Sequence, residues 1–367
     1  MTSFSEQDSL RPYRRSLLER AYAKMDLLGI DSLLVTDLSA IRWLTGFSGS
    51  NAKLLLSDGS AVLFTDFRYQ EQVRRETSGI GTVVLKESLA SELSSGAYQL
   101  GGHVALQADH ITWSDKRLLS ERLEGRQFMA VSSFFDEFRQ IKHEAELENI
   151  RRAVSISEAV LERIIPMLSP DVTERDIAAE ISYLHRKLGA EADSFEPIVA
   201  GGIRSSMPHA RPTPERLVSG TFVLVDMGCI CNGYASDQTR TVALGRVPEE
   251  AKKVYRTVQR AQQMGLDAAK AGITARELDA EVRSFIEAEG YGEAFGHGLG
   301  HGVGINVHEP PRIARSCGET LREGMVFTVE PGIYLDGRFG VRIEDMVVLG
   351  PGGAAPLQHF TKELLEL

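Results

Sequence analysis

The chain reads as two domains of mixed helix and strand, an α/β domain over residues 1–137 followed by a second, α+β domain over 138–367. Three observations predict this. The length of 367 residues is long for one core and natural for two. Short apolar runs alternate with helical periodicity through the first third. A charged helix-opening stretch then starts a second region, where acidic residues interrupt strand-like apolar runs.

The elements follow in order. Leu17, Leu18, Ala21, Met25 and Leu28 recur at helical spacing within 12–29. Ser32–Val35 reads as a strand. Lys53–Leu56 and Ala61–Phe64 read as two more, split by the turn signal Ser57-Asp58-Gly59-Ser60. Helical character resumes over Phe67–Glu76, and Val104–Leu106 adds another strand. The charged run from Arg139 reads as the opening of a long helix through Ile164, with Glu144/Glu148 and Leu147/Arg151 four apart. Helical patterns also cover Thr173–Leu188, Glu249–Ala271 and Thr274–Glu289. No repeat and no low-complexity segment stands out.

Composition narrows the class. A hydrophobic content of 43% with 25% charged residues is an ordinary soluble balance. A net charge of −10 argues against nucleic acid as a partner, because phosphate binding needs a basic surface. The charged opening MTSFSEQDSLRPYRRSLLERAYAKM lacks the apolar core of a leader peptide. No apolar run reaches the roughly 18 residues of a membrane span. Cys229, Cys231 and Cys317 are too few for a disulfide framework and suit a reducing, cytoplasmic compartment.

Asp226, Asp237, His301, Glu330 and Glu344 carry the chemistry. Four carboxylates cannot share a pocket unaided, because like charges and burial both oppose ionisation. Two divalent cations would neutralise them. Asp226 and Asp237 flank Asn232-Gly233, the strongest two-residue hairpin signal. A type I′ turn there sets Cys231 opposite Tyr234 and Asp226 opposite Thr239. Asp237 then shares that face, a diagonal neighbour roughly 7–8 Å from Asp226 at Cα. Two acids on a solvated hairpin is the plain alternative, weakened by the apolar Val223-Leu224-Val225 that leads into Asp226. The same parity turns Cys229 and Cys231 to the other face, as small core side chains rather than thiolate ligands.

His297, His301 and His308 lie in and just after a stretch with five glycines in the nine residues 296–304. So much glycine opposes a helix and predicts unusual backbone angles and close approach to a site. No frame gives G-x-G-x-x-G or a phosphate-loop lysine. Glu330 and Glu344 each interrupt an apolar strand, and a Glu is seldom buried without a partner. A two-residue loop at Asp336-Gly337 would put them on opposite faces. A three-residue loop centred on Gly337, or a bulge near Gly340, would put them face to face, and one of these is expected.

Carboxylates with one imidazole favour Mn²⁺, Fe²⁺, Co²⁺ or Zn²⁺. Two such ions about 3.5–4 Å apart can activate water against an amide carbonyl. No serine sits in a G-x-S-x-G frame and no cysteine in a nucleophile context.

These motifs resemble the pita-bread metallopeptidases, in the Xaa-Pro branch of aminopeptidase P and prolidase, over the whole chain. The carriers are Asp226-Met-Gly, Tyr234-Ala-Ser-Asp237-Gln-Thr-Arg-Thr, His297-Gly-Leu-Gly-His301-Gly-Val-Gly, Val307-His308-Glu, Val329-Glu330-Pro-Gly and Arg342-Ile-Glu344-Asp, with Ser205-Ser-Met-Pro-His209 upstream. The resemblance implies an α+β pita-bread catalytic domain behind a creatinase-type N-terminal α/β domain, in a homodimer whose N-terminal domain often limits substrate length. It implies Asp226 as a bidentate ligand of one metal, Asp237 and Glu344 as the bridging pair, and His301 with Glu330 on the second. Glu330 would also shuttle a proton. His308 and His209 would contact the scissile carbonyl or stabilise the tetrahedral intermediate, His297 would line the substrate pocket, and Arg342 the proline-side pocket.

The implied activity is hydrolysis of peptides with proline second, using two divalent ions, manganese foremost. The opening Arg42-Trp43-Leu44-Thr45-Gly46-Phe47-Ser48-Gly49-Ser50-Asn51 resembles small bacterial aminopeptidases P and favours that mode. The alternative is the dipeptide-only prolidase mode, with Arg338 or Arg42 holding the dipeptide carboxylate. A creatinase-like hydrolase or a binding protein on this scaffold would have lost metal ligands, and all five are kept. Methionine aminopeptidase fits poorly, since His209 and the N-terminal domain are present.

Overall fold

A computed structural model describes residues 10–367. Residues 1–9, which open the stretch read above as lacking a leader's apolar core, lie outside the described residues. The chain divides into two compact units, the first ending at Phe138 and the second spanning Arg139–Leu367.

The first unit is built on a six-stranded sheet of β1 (Ser32–Val35), β2 (Lys53–Ser57), β3 (Ser60–Thr65), β4 (Gly81–Val84), β5 (His103–Gln107) and β6 (Gln127–Val131) in the order β4-β3-β2-β1-β5-β6. The β1–β2 and β2–β3 pairs are antiparallel and the outer pairs parallel. Helices α1 (Arg11–Leu27), α2 (Leu38–Thr45), α3 (Gln70–Glu76), α4 (Leu89–Leu93) and α5 (Trp113–Arg122) accompany it. Sequence periodicity missed α2, α4, α5, β4 and β6. The reason is visible in α5, whose one buried residue is Leu119, and in β6, whose residues are all at least partly exposed. Neither segment buries a stripe that a pattern could register.

In the second unit, α6 (Glu144–Ile164) starts five residues later than expected. His143 caps it in a capping box with Glu146. The preceding residues are tied elsewhere: Ile141 bridges Met325, and the Lys142 N–H bonds the Gly324 carbonyl. Then come α7 (Glu174–Lys187), α8 (Glu249–Ala268) and α9 (Ala275–Ala288), with α7 and α9 capped by Thr173 and Thr274.

Thirteen strands follow the first unit's six. The first six of them are β7 (Ala192–Asp193), β8 (Ile198–Gly201), β9 (Thr221–Met227), β10 (Cys229–Cys231), β11 (Tyr234–Ala235) and β12 (Gln238–Leu244). The other seven are β13 (Gly300–Gly302), β14 (Glu309–Ile313), β15 (Val326–Val329), β16 (Gly332–Leu335), β17 (Phe339–Arg342), β18 (Asp345–Gly350) and β19 (Gly353–Pro356). Sheets run β12-β9-β8, β11-β10-β7, β14-β13-β15-β18-β19 and β16-β17.

Each half repeats one arrangement, a helix pair behind a sheet. Leu161 of α6 and Ile177 and Ile181 of α7 share a core with Val223, Val225 and Val242 of β9 and β12. Val254 and Val258 of α8 and Leu278 and Val282 of α9 share another with Phe327, Val329 and Val347 of β15 and β18. Burying one face of each sheet against helices leaves the other faces to supply the acids.

Candidate metal centre

The Asp arm comes from a hairpin whose turn sets its register. Asn232 and Gly233 both take positive φ, at 50° and 86°, as a type I′ turn requires. Cys231 pairs with Tyr234, and Asp226 with Thr239. Asp237 enters the same pocket as Asp226. On the other face Cys229 and Cys231 pack with Ala153 and Ala190. Burial pushes the Cys229 thiol up to about 11, which suits a core thiol and not a ligand.

The Glu arm comes from a three-residue loop, Asp336–Arg338, with Gly337 at φ 68°. The β16–β17 pairs, from Leu335↔Phe339 to Gly332↔Arg342, and the β15–β18 pair Val329↔Asp345 lie on either side of a break in pairing and keep the same register across it. Glu330 and Glu344 therefore stand opposite each other, and both line the pocket.

The histidine loop departs from expectation in one respect. None of Gly296, Gly298, Gly300, Gly302 and Gly304 has a positive φ. Their requirement is space. A Cβ on Gly300 would collide with the Thr328 carbonyl, and one on Gly302 with the carbonyls of Glu309 and Pro310. Glycine here lets three backbone segments touch around His301.

One ligand atom each from Asp237, His301 and Glu344 lies within 4.8 Å of the others. The His301 Nδ1 faces the Gly302 carbonyl at 3.1 Å, so it carries the proton and Nε2 presents its lone pair. That Nε2 looks onto Asp237 Oδ2 at 3.5 Å and Glu330 Oε1 at 3.3 Å. Asp226 Oδ1 is buried without a hydrogen-bond partner. Its Oδ2 accepts from Arg342 Nη2 at 2.5 Å. Burial and the neighbouring carboxylates, Glu344 and Asp226 first, raise Asp237 well above the usual range. Burial, then Glu330 and Asp226, does the same to Glu344. Burial also raises Glu330, against the lowering pull of His297 and Arg342. A lone pair facing carboxylates, an orphaned buried oxygen and mutually repelling acids all fit hard divalent cations bound by oxygen and one imidazole.

The other sequence-derived residues meet around the same pocket of about 470 Å³, which His209, His297, His308 and Arg342 all line. The His308 ring packs against that of His301, tilted 60° to it, with centroids 4.3 Å apart. Burial, then His301, brings it down to about 4, so at neutral pH it is an uncharged N–H donor. Arg342 and His297 line the pocket and are each held there by other residues. Arg342 donates to Asp226, to Thr239 at 3.0 Å, to Tyr334 at 2.8 Å and to the Pro208 carbonyl at 3.3 Å. It braces the Asp226 carboxylate at the pocket wall. The two nitrogens of His297 face the Gly298 carbonyl at 2.8 Å and the Tyr334 hydroxyl at 3.1 Å. Its contribution to the pocket is its ring. Arg338, expected as a carboxylate holder, is an exposed residue bonded to Glu250 at 2.6 Å.

Sequence reasoning passed over Tyr334, Arg312 and Arg240. Arg240 is almost wholly buried and donates to the Glu344 carbonyl at 2.6 Å and to Asp345 at 2.8 Å, holding the strand end that carries Glu344. Its place in Gln238-Thr-Arg-Thr was the available signal. Arg312 is exposed at the pocket wall, two residues after Pro310.

The fold and this acidic, imidazole-bearing pocket define a metal-dependent hydrolase. Residues 148–351 match the model of Metallopeptidase family M24, and residues 18–141 match the Creatinase/Prolidase N-terminal domain. The chain belongs to metallopeptidase family M24, the pita-bread peptidases. It is 35% identical to a solved structure named Xaa-Pro dipeptidase from Bacillus anthracis, with TM-score 0.93 over 96% of this chain and 100% of that one. It is 35% identical to the X-Pro aminopeptidase from Thermotoga maritima MSB8, with TM-score 0.86 over 95% and 100%. It is 33% identical to the Xaa-Pro dipeptidase of Pyrococcus furiosus, covering 95% of this chain and 99% of that protein. Among the described residues no helix is long and apolar enough to cross a membrane.

Proposed function

We propose that this metallopeptidase hydrolyses the bond before a proline in second position, with two divalent cations, manganese foremost, held by Asp226, Asp237, His301, Glu330 and Glu344. The observation that carries it is the convergence of these five on one pocket with His209, His297 and His308. When bound, the cations supply an activated water and a Lewis-acid contact for the carbonyl. The chain's own groups do the rest. Arg342 fixes Asp226. Thr239 donates to Glu344 at 2.6 Å and Thr328 to Glu330 at 3.1 Å, which sets the angle of each carboxylate. Glu330, raised by burial, takes a proton and returns it to the proline nitrogen, which has none of its own. His308 and His209, which line the pocket, would donate N–H groups to the oxyanion. A homodimer and a cytoplasmic location belong to the same proposal, the latter supported by three free cysteines.

The sequence leaned to the aminopeptidase mode, and relatives of both names support the Xaa-Pro reading. Arg312 favours the dipeptidase mode. It is an exposed guanidinium on the pocket wall, in no ion pair among the described residues, and a dipeptide ends in the carboxylate such a group binds. Xaa-Pro dipeptides assayed beside Xaa-Pro-Xaa tripeptides decide between the modes. Arg312→Ala is expected to raise KM for dipeptides only. Equal cleavage of tripeptides, with Arg312→Ala neutral, returns the aminopeptidase mode. No cleavage of either by the manganese-loaded protein overturns the proposal.

A further inference from the structure

We infer that Arg283 and Asp279 of α9 are positioning residues for the pocket: a buried ion pair that clamps the backbone on both sides of His297. The inference rests on the Xaa-Pro reading for its kinetic consequence and on geometry alone for the clamp.

The two residues are four apart on α9, a spacing that on most helices marks a weak, solvated pair. Here the pair is buried, with Asp279 at 0% and Arg283 at 6% exposure. Arg283 donates to both Asp279 oxygens at 2.8 Å. Its remaining donors leave the helix, reaching the Phe295 carbonyl at 2.8 Å and the His297 carbonyl at 2.6 Å. Asp279 Oδ1 accepts from the Leu299 N–H at 3.0 Å. The guanidinium also lies over the Phe295 ring, 4.1 Å from its centroid. One ion pair thus satisfies three backbone groups within five residues, and His297 is in the middle of them.

The loop needs such an anchor. A segment bearing Gly296, Gly298 and Gly300 has few side chains to hold it and much backbone freedom to lose. His301 has an anchor of its own, its N–H bonding Thr328 Oγ1 at 3.1 Å. The outward bonds of the 295–299 backbone to α9 all run through Asp279 and Arg283. The clamp therefore controls where the His297 ring stands in the pocket wall more than where His301 meets a metal. The planar fork of arginine is required, since one lysine ammonium cannot span Asp279 and two carbonyls in these directions.

The test uses the full chain loaded with Mn²⁺, in Arg283→Lys and in Asp279→Asn, which keeps an acceptor for Leu299 if the first variant folds poorly. Three quantities are read: kcat and KM on an Xaa-Pro peptide, Mn²⁺ affinity by calorimetry, and the His297 ring resonance in ¹³C-histidine-labelled protein, assigned by its absence in His297→Asn. The expected result is a kcat/KM lower by about ten- to a hundredfold, carried by KM, with a shifted His297 resonance and near wild-type Mn²⁺ affinity. An unshifted resonance with unchanged KM overturns the clamp. So does a parallel fall of Mn²⁺ affinity, melting temperature and kcat, which marks a general scaffold role. If the wild type cleaves no Xaa-Pro peptide, the functional proposal falls, and the resonance still decides the clamp.

Discussion

Buried charge is treated in two ways within the catalytic unit. Outside the pocket it is matched. Lys142 meets Glu309 at 2.6 Å, Arg283 meets Asp279 at 2.8 Å, and Arg204 meets Glu174 at 3.0 Å. Asp345 takes both Arg240 at 2.8 Å and Lys362 at 3.0 Å. Where Asp226, Asp237, Glu330 and Glu344 meet, the one buried guanidinium among the described residues of the pocket is that of Arg342, and burial lowers the neighbouring His301 and His308. A chain that pairs its buried ions elsewhere and leaves these unmatched has left room for positive charge from outside.

The largest expected effect of breaking that contrast is on the pocket's side. Exhaustive chelation should abolish peptide hydrolysis, and Mn²⁺ add-back should restore it. Added Mn²⁺ should also raise the melting temperature of the metal-free protein in a concentration-dependent way. Full activity after chelation would remove the metal reading altogether.

Next come single substitutions, with opposite signs in the two regions. Glu344→Gln keeps the size and the Thr239 partner but removes a charge. Its loss of Mn²⁺ affinity should exceed the roughly 10–100-fold that loss of an outer supporting partner costs. Without metal it should melt above metal-free wild type, because one repulsive charge is gone. Lys142→Met acts the other way. It strands Glu309 in the core and should cost about 3–5 kcal/mol in urea unfolding, with Mn²⁺ affinity nearly unchanged. If both variants shift metal-free stability in the same direction, the distinction between matched and unmatched charge fails.

The contrast also explains what could be read without coordinates. The acid pairs were legible because strand register follows from turn length: Asn232-Gly233 fixes one hairpin, and three residues around Gly337 fix the other. The histidines were legible by type, but the reason for their glycines was not, since close approach depends on Thr328 and Glu309, far along the chain. The matched pairs were illegible for a related reason. Asp279 and Arg283 look like any solvated i,i+4 pair, and Lys142 and Glu309 are separated by most of the unit. The charged run before α6 promised helix from Arg139, but Lys142 is drawn into the core by Glu309 instead.

A smaller effect is the pH dependence of the metal-free protein. Asp237 and Glu344 titrate near 4 when unfolded and well above that when folded, through burial and mutual repulsion. Below the unfolded value their contribution to stability is fully present. It is lost as pH rises through the raised folded values. The melting temperature of the metal-free protein should therefore fall, relative to the Mn²⁺-loaded protein, as pH rises above the ordinary carboxylate range of about 4. A gap between the two forms that narrows with rising pH would mean that these acids ionise freely and are not crowded.

The smallest effect expected is at Arg338, the residue the sequence offered as a dipeptide-carboxylate holder. Its guanidinium is exposed and bonded to Glu250, which it holds below the usual carboxylate range through that hydrogen bond. Exposed pairs of this kind contribute little, and Arg338 does not line the pocket. Arg338→Ala should leave KM for Xaa-Pro dipeptides unchanged while Arg312→Ala raises it. The reverse outcome would move the carboxylate site to the far end of the Glu330–Glu344 hairpin and remove the ground on which Arg312 favours dipeptides.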